Sequence, residues 1–179
     1  MNEVDAGSVK AHLNPHPKER YELTFTVHDA PGPFDSVTAD VLYVVNNPMC
    51  IPHDPFTGGQ SKSPGVTRPI PLERIAPQTY RGEVTTDLLA DEDLFGLGVC
   101  HWNVMSAGIG LVAHGVTFSA GIVRKEIEAE NATSTYFAKE SYSSGTADLG
   151  EDGRYLSPYV KSSPDKFFHV IVSAKRIAP

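Results

Sequence analysis

Seven histidines, two cysteines and two runs of carboxylates carry whatever chemistry this chain of 179 residues performs. His28, His53, His101, His114 and His169 are scattered, and neither an HxH nor an HExxH spacing occurs. His28, His101 and His169 fall on the polar faces of expected strands, where folding can bring them together. They are read here as surface histidines, with no metal and no cofactor. The acidic runs are Asp87-x-x-x-Asp91-Glu92-Asp93 and Asp148-x-x-Glu151-Asp152-Gly153. Carboxylate oxygens at such spacing suit a hard cation such as calcium, but neither run has the EF-hand pattern. Both are read as solvated turns. Nucleophile chemistry lacks its usual frame: there is no Gly-x-Ser-x-Gly elbow, phosphate loop or dinucleotide fingerprint. A non-catalytic protein is the expectation, and a metal-dependent hydrolase built on the histidines is the alternative.

Cys50 and Cys100 lie beside strand-like segments. They are either two buried thiols or one disulfide. A bridge between them closes a loop of about fifty residues, worth roughly 4 kcal/mol in the chain-entropy picture, and implies an oxidising compartment.

The elements that must position these groups are mostly strands. Tyr21, Leu23, Phe25 and Val27 alternate with polar residues, as do Val37, Ala39, Val41, Tyr43 and Val45. Period-two alternation marks a strand with one buried face. Further strands are expected over Tyr80–Leu89, Leu97–Met105, Thr133–Lys139 and Phe167–Ile177. His114-Gly115 separates Ile109–Ala113 from Val116–Val123 as a hairpin. Arg124–Glu130 is expected to form a short helix, and residues 141–153 a mobile loop. Trp102 is expected in the core, on the same strand face as Cys100 and Val104.

Residues 46–79 are the longest irregular stretch, with seven prolines and Gly58-Gly59. A structureless loop of that length is uncommon and often functional. The pattern predicts an all-β fold: an antiparallel, immunoglobulin-like β-sandwich of seven or eight strands with one long Pro/Gly-rich loop. Residues 1–19 read as a flexible leader and residues 20–179 as a single domain.

The 15 basic residues against 22 acidic ones give a net charge of -7, which argues against nucleic-acid binding. No apolar run is long enough to span a membrane as a helix. Residues 1–20 are polar and show no signal peptide, so export implies that a signal preceded the mature segment.

Two stretches, Val44-Val45-Asn46-Asn47-Pro48-Met49-Cys50-Ile51-Pro52 and Asp91-Glu92-Asp93-Leu94-Phe95-Gly96-Leu97-Gly98-Val99-Cys100-His101-Trp102, carry a resemblance. The chain, over roughly residues 36–122, resembles small exported proteins of Gram-negative bacteria. Some of these are periplasmic immunity proteins that accompany type VI secretion effectors. The resemblance implies a Cys50–Cys100 bridge, a β-sandwich and inhibition of a partner toxin by direct binding. It supplies no catalytic residues. On that view the binding residues are His53, Asp54 and Phe56 on the long loop, with Asp91, Glu92 and Asp93 as an acidic rim. Phe56 is the expected anchor at the loop tip, and the acids speed encounter with a basic partner. A structural or adhesive domain of an envelope assembly is a further alternative.

Overall fold

Strands form where buried and exposed side chains alternate, and most of the chain obeys that rule. The computed structural model describes residues 2–178, and their strands make three antiparallel sheets. The strands are β1 (Glu3–Asp5), β2 (Lys10–His12), β3 (Arg20–His28), β4 (Ser36–Val45), β5 (Gly65–Pro69), β6 (Glu73–Ala76), β7 (Thr79–Thr85), β8 (Trp102–Ala113), β9 (Val116–Ile122), β10 (Ala132–Ala138), β11 (Glu151–Asp152) and β12 (Phe167–Ile177). Three short helices join them: α1 (Arg124–Glu128), α2 (Lys139–Ser144) and α3 (Pro158–Ser162). The large sheet has the order β11-β10-β12-β3-β7-β6 and the second β5-β4-β8-β9, while β1 and β2 form a hairpin of their own. None of the helices is long and apolar enough to cross a membrane.

In β3, Tyr21, Leu23, Phe25 and Val27 are buried, and in β4 the buried residues are Ala39, Val41, Tyr43 and Val45. β8 shows why simple alternation is hard to read there. Its register against β4 shifts between Leu42 and Tyr43. Val104 and Ala107 are both buried, with exposed Met105 and Ser106 between them. The bulge moves the inward face from even to odd positions, so Ile109, Leu111 and Ala113 continue the core. The two large sheets feed one apolar cluster. Phe118 of β9 meets Phe137 of β10 and Phe168 of β12 edge to face, with both centroid distances 5.3 Å. Trp102 is buried as expected, although its indole N–H finds no partner among the described residues.

Three sequence expectations need correction. Residues 1–19 are not a loose leader in the structure. The β1–β2 hairpin buries Ala6 and Ala11, and Asn14 and Leu13 join it to Leu88 and Leu89 through backbone pairing. Three-residue strands show too few alternations to stand out in sequence. The irregular stretch is also shorter than residues 46–79, because β5 and β6 lie inside it as edge strands. Pro69 ends β5 at the sheet edge, where a missing N–H costs no ladder bond. Residues 141–153 are not one mobile loop, since the second half of α2 and all of β11 fall within them. Asp148 orders the turn by accepting from the N–H groups of Ala138 and Gly150. Together these short elements raise the strand number above the seven or eight expected.

The hairpin gives a direct test. Ala11 is fully buried, so Ala11→Asp places an unpaired carboxylate in the core. It should lower stability in denaturant unfolding by about 3 kcal/mol or more. A flexible leader would tolerate the change with no loss.

Candidate functional site

β4 and β8 are neighbours, and Val45 pairs with Trp102. The chain leaving β4 and the chain entering β8 therefore emerge side by side. Pro48 opens a 3-10 turn over Pro48–Cys50, where a fixed φ and a missing N–H are tolerated. That turn carries Cys50 to within 5.3 Å (Cα–Cα) of Cys100, and the two form a disulfide. The bond is buried and lies at one end of a single sheet. The inter-sheet disulfide of immunoglobulin domains is placed differently.

Asn47 strengthens the junction. Its Oδ1 accepts from the N–H of His101 at 2.6 Å, and its Nδ2 donates to the carbonyl of Val99 at 2.8 Å. The N–H of Asn46 reaches the carbonyl of His101 at 3.1 Å. Buried Ile51 and half-buried Leu94 and Phe95 tie the two loops to the core.

Each loop is shaped by one aspartate. In residues 46–64, Asp54 Oδ1 accepts from the N–H groups of Phe56 at 2.7 Å and Thr57 at 3.0 Å. Those bonds, Thr57's first and Phe56's second, hold the Asp54 carboxyl below the usual range. The Asp54 N–H donates to Gly59 and the Gly58 N–H returns to Asp54, closing a tight tip. Gly58 has a φ of 67°, which favours glycine. In residues 91–101, Asp93 Oδ1 accepts from Phe95, Gly96 and Leu97, with the Gly96 bond at 2.7 Å. Gly96 and Gly98 are left-handed there, with φ of 74° and 111°.

The neighbouring acids are engaged too. Asp91 accepts from the Trp102 N–H at 2.9 Å and pairs with His101 Nδ1 at 2.8 Å. Glu92 meets His12 Nδ1 at 3.0 Å, joining the hairpin to the second loop. The Glu92 carbonyl accepts from the Cys100 N–H.

Among what the loops offer to solvent are four large apolar side chains. Phe56 is 96% exposed, Met49 86%, Leu97 53% and Val99 48%. Met49, Pro52, His53 and Gln60 from the first loop and Leu97 from the second line one surface cleft. Apolar side chains presented in this way are a common mark of a docking surface.

The structure therefore brings the two expected segments together at one end of the sheet. It places Phe56 at the exposed tip, with His53 exposed beside it. Asp54, Asp91, Glu92 and Asp93 lie here as well; one oxygen each of Asp54 and Asp93 holds backbone N–H groups, and Asp91 and Glu92 pair with His101 and His12. Met49, Leu97, Val99 and Asn47 were not picked out as site residues by sequence. The Asp-x-x-x-Gly and Asp-x-x-Gly spacings at Asp54 and Asp93 are the turn signals that mark both loops. Of the three strand histidines, His28 and His169 meet as register partners, whereas His101 pairs with Asp91. Among the described residues, no three His, Cys, Asp or Glu side chains are placed to hold one metal ion.

Comparison of the chain with protein-family models, curated proteins and solved structures finds no match.

The His12–Glu92 link sets a pH signature. The hydrogen bond His12 donates to Glu92, and then the Glu92 charge, raise His12 above the ordinary histidine value of about 6.5. The link is fully formed below that ordinary value and is lost as pH rises through the raised one. An NMR titration should show His12 above the ordinary value, and Glu92→Gln should bring it back down. A titration that is the same in both proteins would break the link.

Proposed function

We propose that this protein is a non-catalytic inhibitor that neutralises a secreted antibacterial toxin by direct protein–protein binding. The observation that carries the reading is the exposed set Met49, Phe56, Leu97 and Val99, held on two loops by one buried disulfide. A binding protein gains affinity when its contact surface is ordered before binding, since less freedom is lost on association. Here the disulfide, Asn47 and the two aspartate-capped turns do the ordering. Phe56 is the anchor that enters a pocket on the partner. In this reading the two large sheets act as an immunoglobulin-like sandwich whose task is to hold the platform.

The partner's surface is basic around an apolar pocket. The two loops carry Asp54, Asp91, Glu92 and Asp93 against the single cation Lys62, and the whole chain has a net charge of -7. Even carboxylates committed to backbone N–H groups keep their charge and attract a basic partner at long range. The disulfide supports an oxidising compartment, and the periplasm is the one proposed. The resemblance read from the stretches Val44–Pro52 and Asp91–Trp102 motivates the choice of a type VI secretion effector as the toxin.

Binding kinetics against the product of the gene adjacent to this protein's own test the reading. Phe56→Ala should speed dissociation by about thirtyfold, a hot-spot effect. Asp93→Asn keeps an acceptor for the turn and removes the charge, so it should slow association and weaken its salt dependence. Wild-type kinetics in both variants would move the interface to another face.

A further inference from the structure

Two imidazoles meet on the outward face of the six-stranded sheet, apart from the loop platform. His28 ends β3, His169 lies in β12, and the two are direct register partners. Directly opposed side chains on antiparallel strands share a face, with Cβ atoms about 4.5–5.5 Å apart. The ring centroids are 4.8 Å apart, and Tyr136 of β10 stacks on the far side of His169 at 4.7 Å.

These rings differ from the other cross-linked histidines. His12, His101 and His114 each commit Nδ1 to Glu92, Asp91 or the Tyr142 carbonyl. Neither His28 nor His169 hydrogen-bonds to a described residue, so the nitrogens of both are free to ligate. The Asp29 carboxylate, on a left-handed residue directly after His28, acts on His169 as a nearby negative charge.

We propose that His28 and His169 together chelate a divalent transition ion, Cu²⁺ in preference to Zn²⁺ or Ni²⁺, with water completing its coordination. Imidazole suits all three ions, and the general order of affinities places Cu²⁺ highest. The disulfide implies an oxidising compartment, where copper is held as the cupric ion. The rings stand nearly parallel, 18° apart, so chelation requires each to turn out of the stack to aim one nitrogen at the ion. Asp29 contributes its field and is not a ligand. The proposal is independent of the toxin-binding reading.

The test is a Cu²⁺ titration of the intact, disulfide-bonded protein in the presence of a weak competing chelator. Affinity is read by calorimetry and coordination by electron paramagnetic resonance. Wild type should show one strongest site with two imidazole nitrogens. His28→Gln and His169→Gln should each weaken it by about a hundredfold, because either change removes the chelate. The double variant should be no weaker than the singles by more than a small factor. Affinity within twofold of wild type in either single variant overturns the proposal. Should a variant fail to fold, substoichiometric Cu²⁺ added to the wild type decides by NMR. Broadening must appear at His28 and His169 before the other five histidines, and the reverse order overturns the site.

Discussion

One buried covalent bond governs what this end of the molecule can present. Cys50 and Cys100 are 50 residues apart in sequence. Left open, the segments after β4 and before β8 would be two separate long loops, each free to sample its own conformations. The bond removes roughly 4 kcal/mol of that freedom from the unfolded chain in the entropic picture. It also makes the loops a single surface, because Asn47 then lies where it can hydrogen-bond Val99 and His101. Exposed apolar side chains on independent loops would fold back or aggregate. On a tethered pair they keep a fixed relation to one another.

The carboxylates serve this order from within. Asp54 and Asp93 each gather backbone N–H groups that the tight tips would otherwise leave to water. Hydrogen bonds to a charged acceptor are stronger than those between neutral groups. Charge and shape are therefore coupled at this site: removing an aspartate alters the loop as well as the field around it. The exposed Met49, Phe56, Leu97 and Val99 remain as the part of the surface with no duty inside the protein. That division of labour favours a binding role.

Much of the scaffold was legible in the sequence, and the reasons differ element by element. β3, β4, β9 and β12 alternate over seven residues or more, so their buried faces stand out, whereas β10 shows itself by its β-branched and aromatic residues. The His114-Gly115 turn was visible because both residues adopt positive φ, at 50° and 77°. β8 was split in two by its bulge, which breaks the period while the strand continues. The β1–β2 hairpin, β5, β6 and β11 were hidden because short edge strands take their stability from neighbours. At the site, the aromatic tip and the pairing of the two segments followed from residue types and from the resemblance. The roles of the acids did not, since the same Asp-Gly spacing reads equally well as a solvated turn. Which apolar loop residues face solvent depends on tertiary anchoring by Ile51, Leu94 and Phe95, and no local pattern encodes it.

The account depends on the loops behaving as one body. Amide hydrogen exchange reports this most directly, compared between the oxidised protein and a Cys50→Ser/Cys100→Ser double variant. The informative amides are His101, held by the Asn47 side chain, and Ser61, held by the Pro52 carbonyl. Protection should fall together at both positions in the double variant, while β3 and β12 keep theirs. Unchanged protection at His101 and Ser61, with any effect limited to the two substituted residues, would contradict the account.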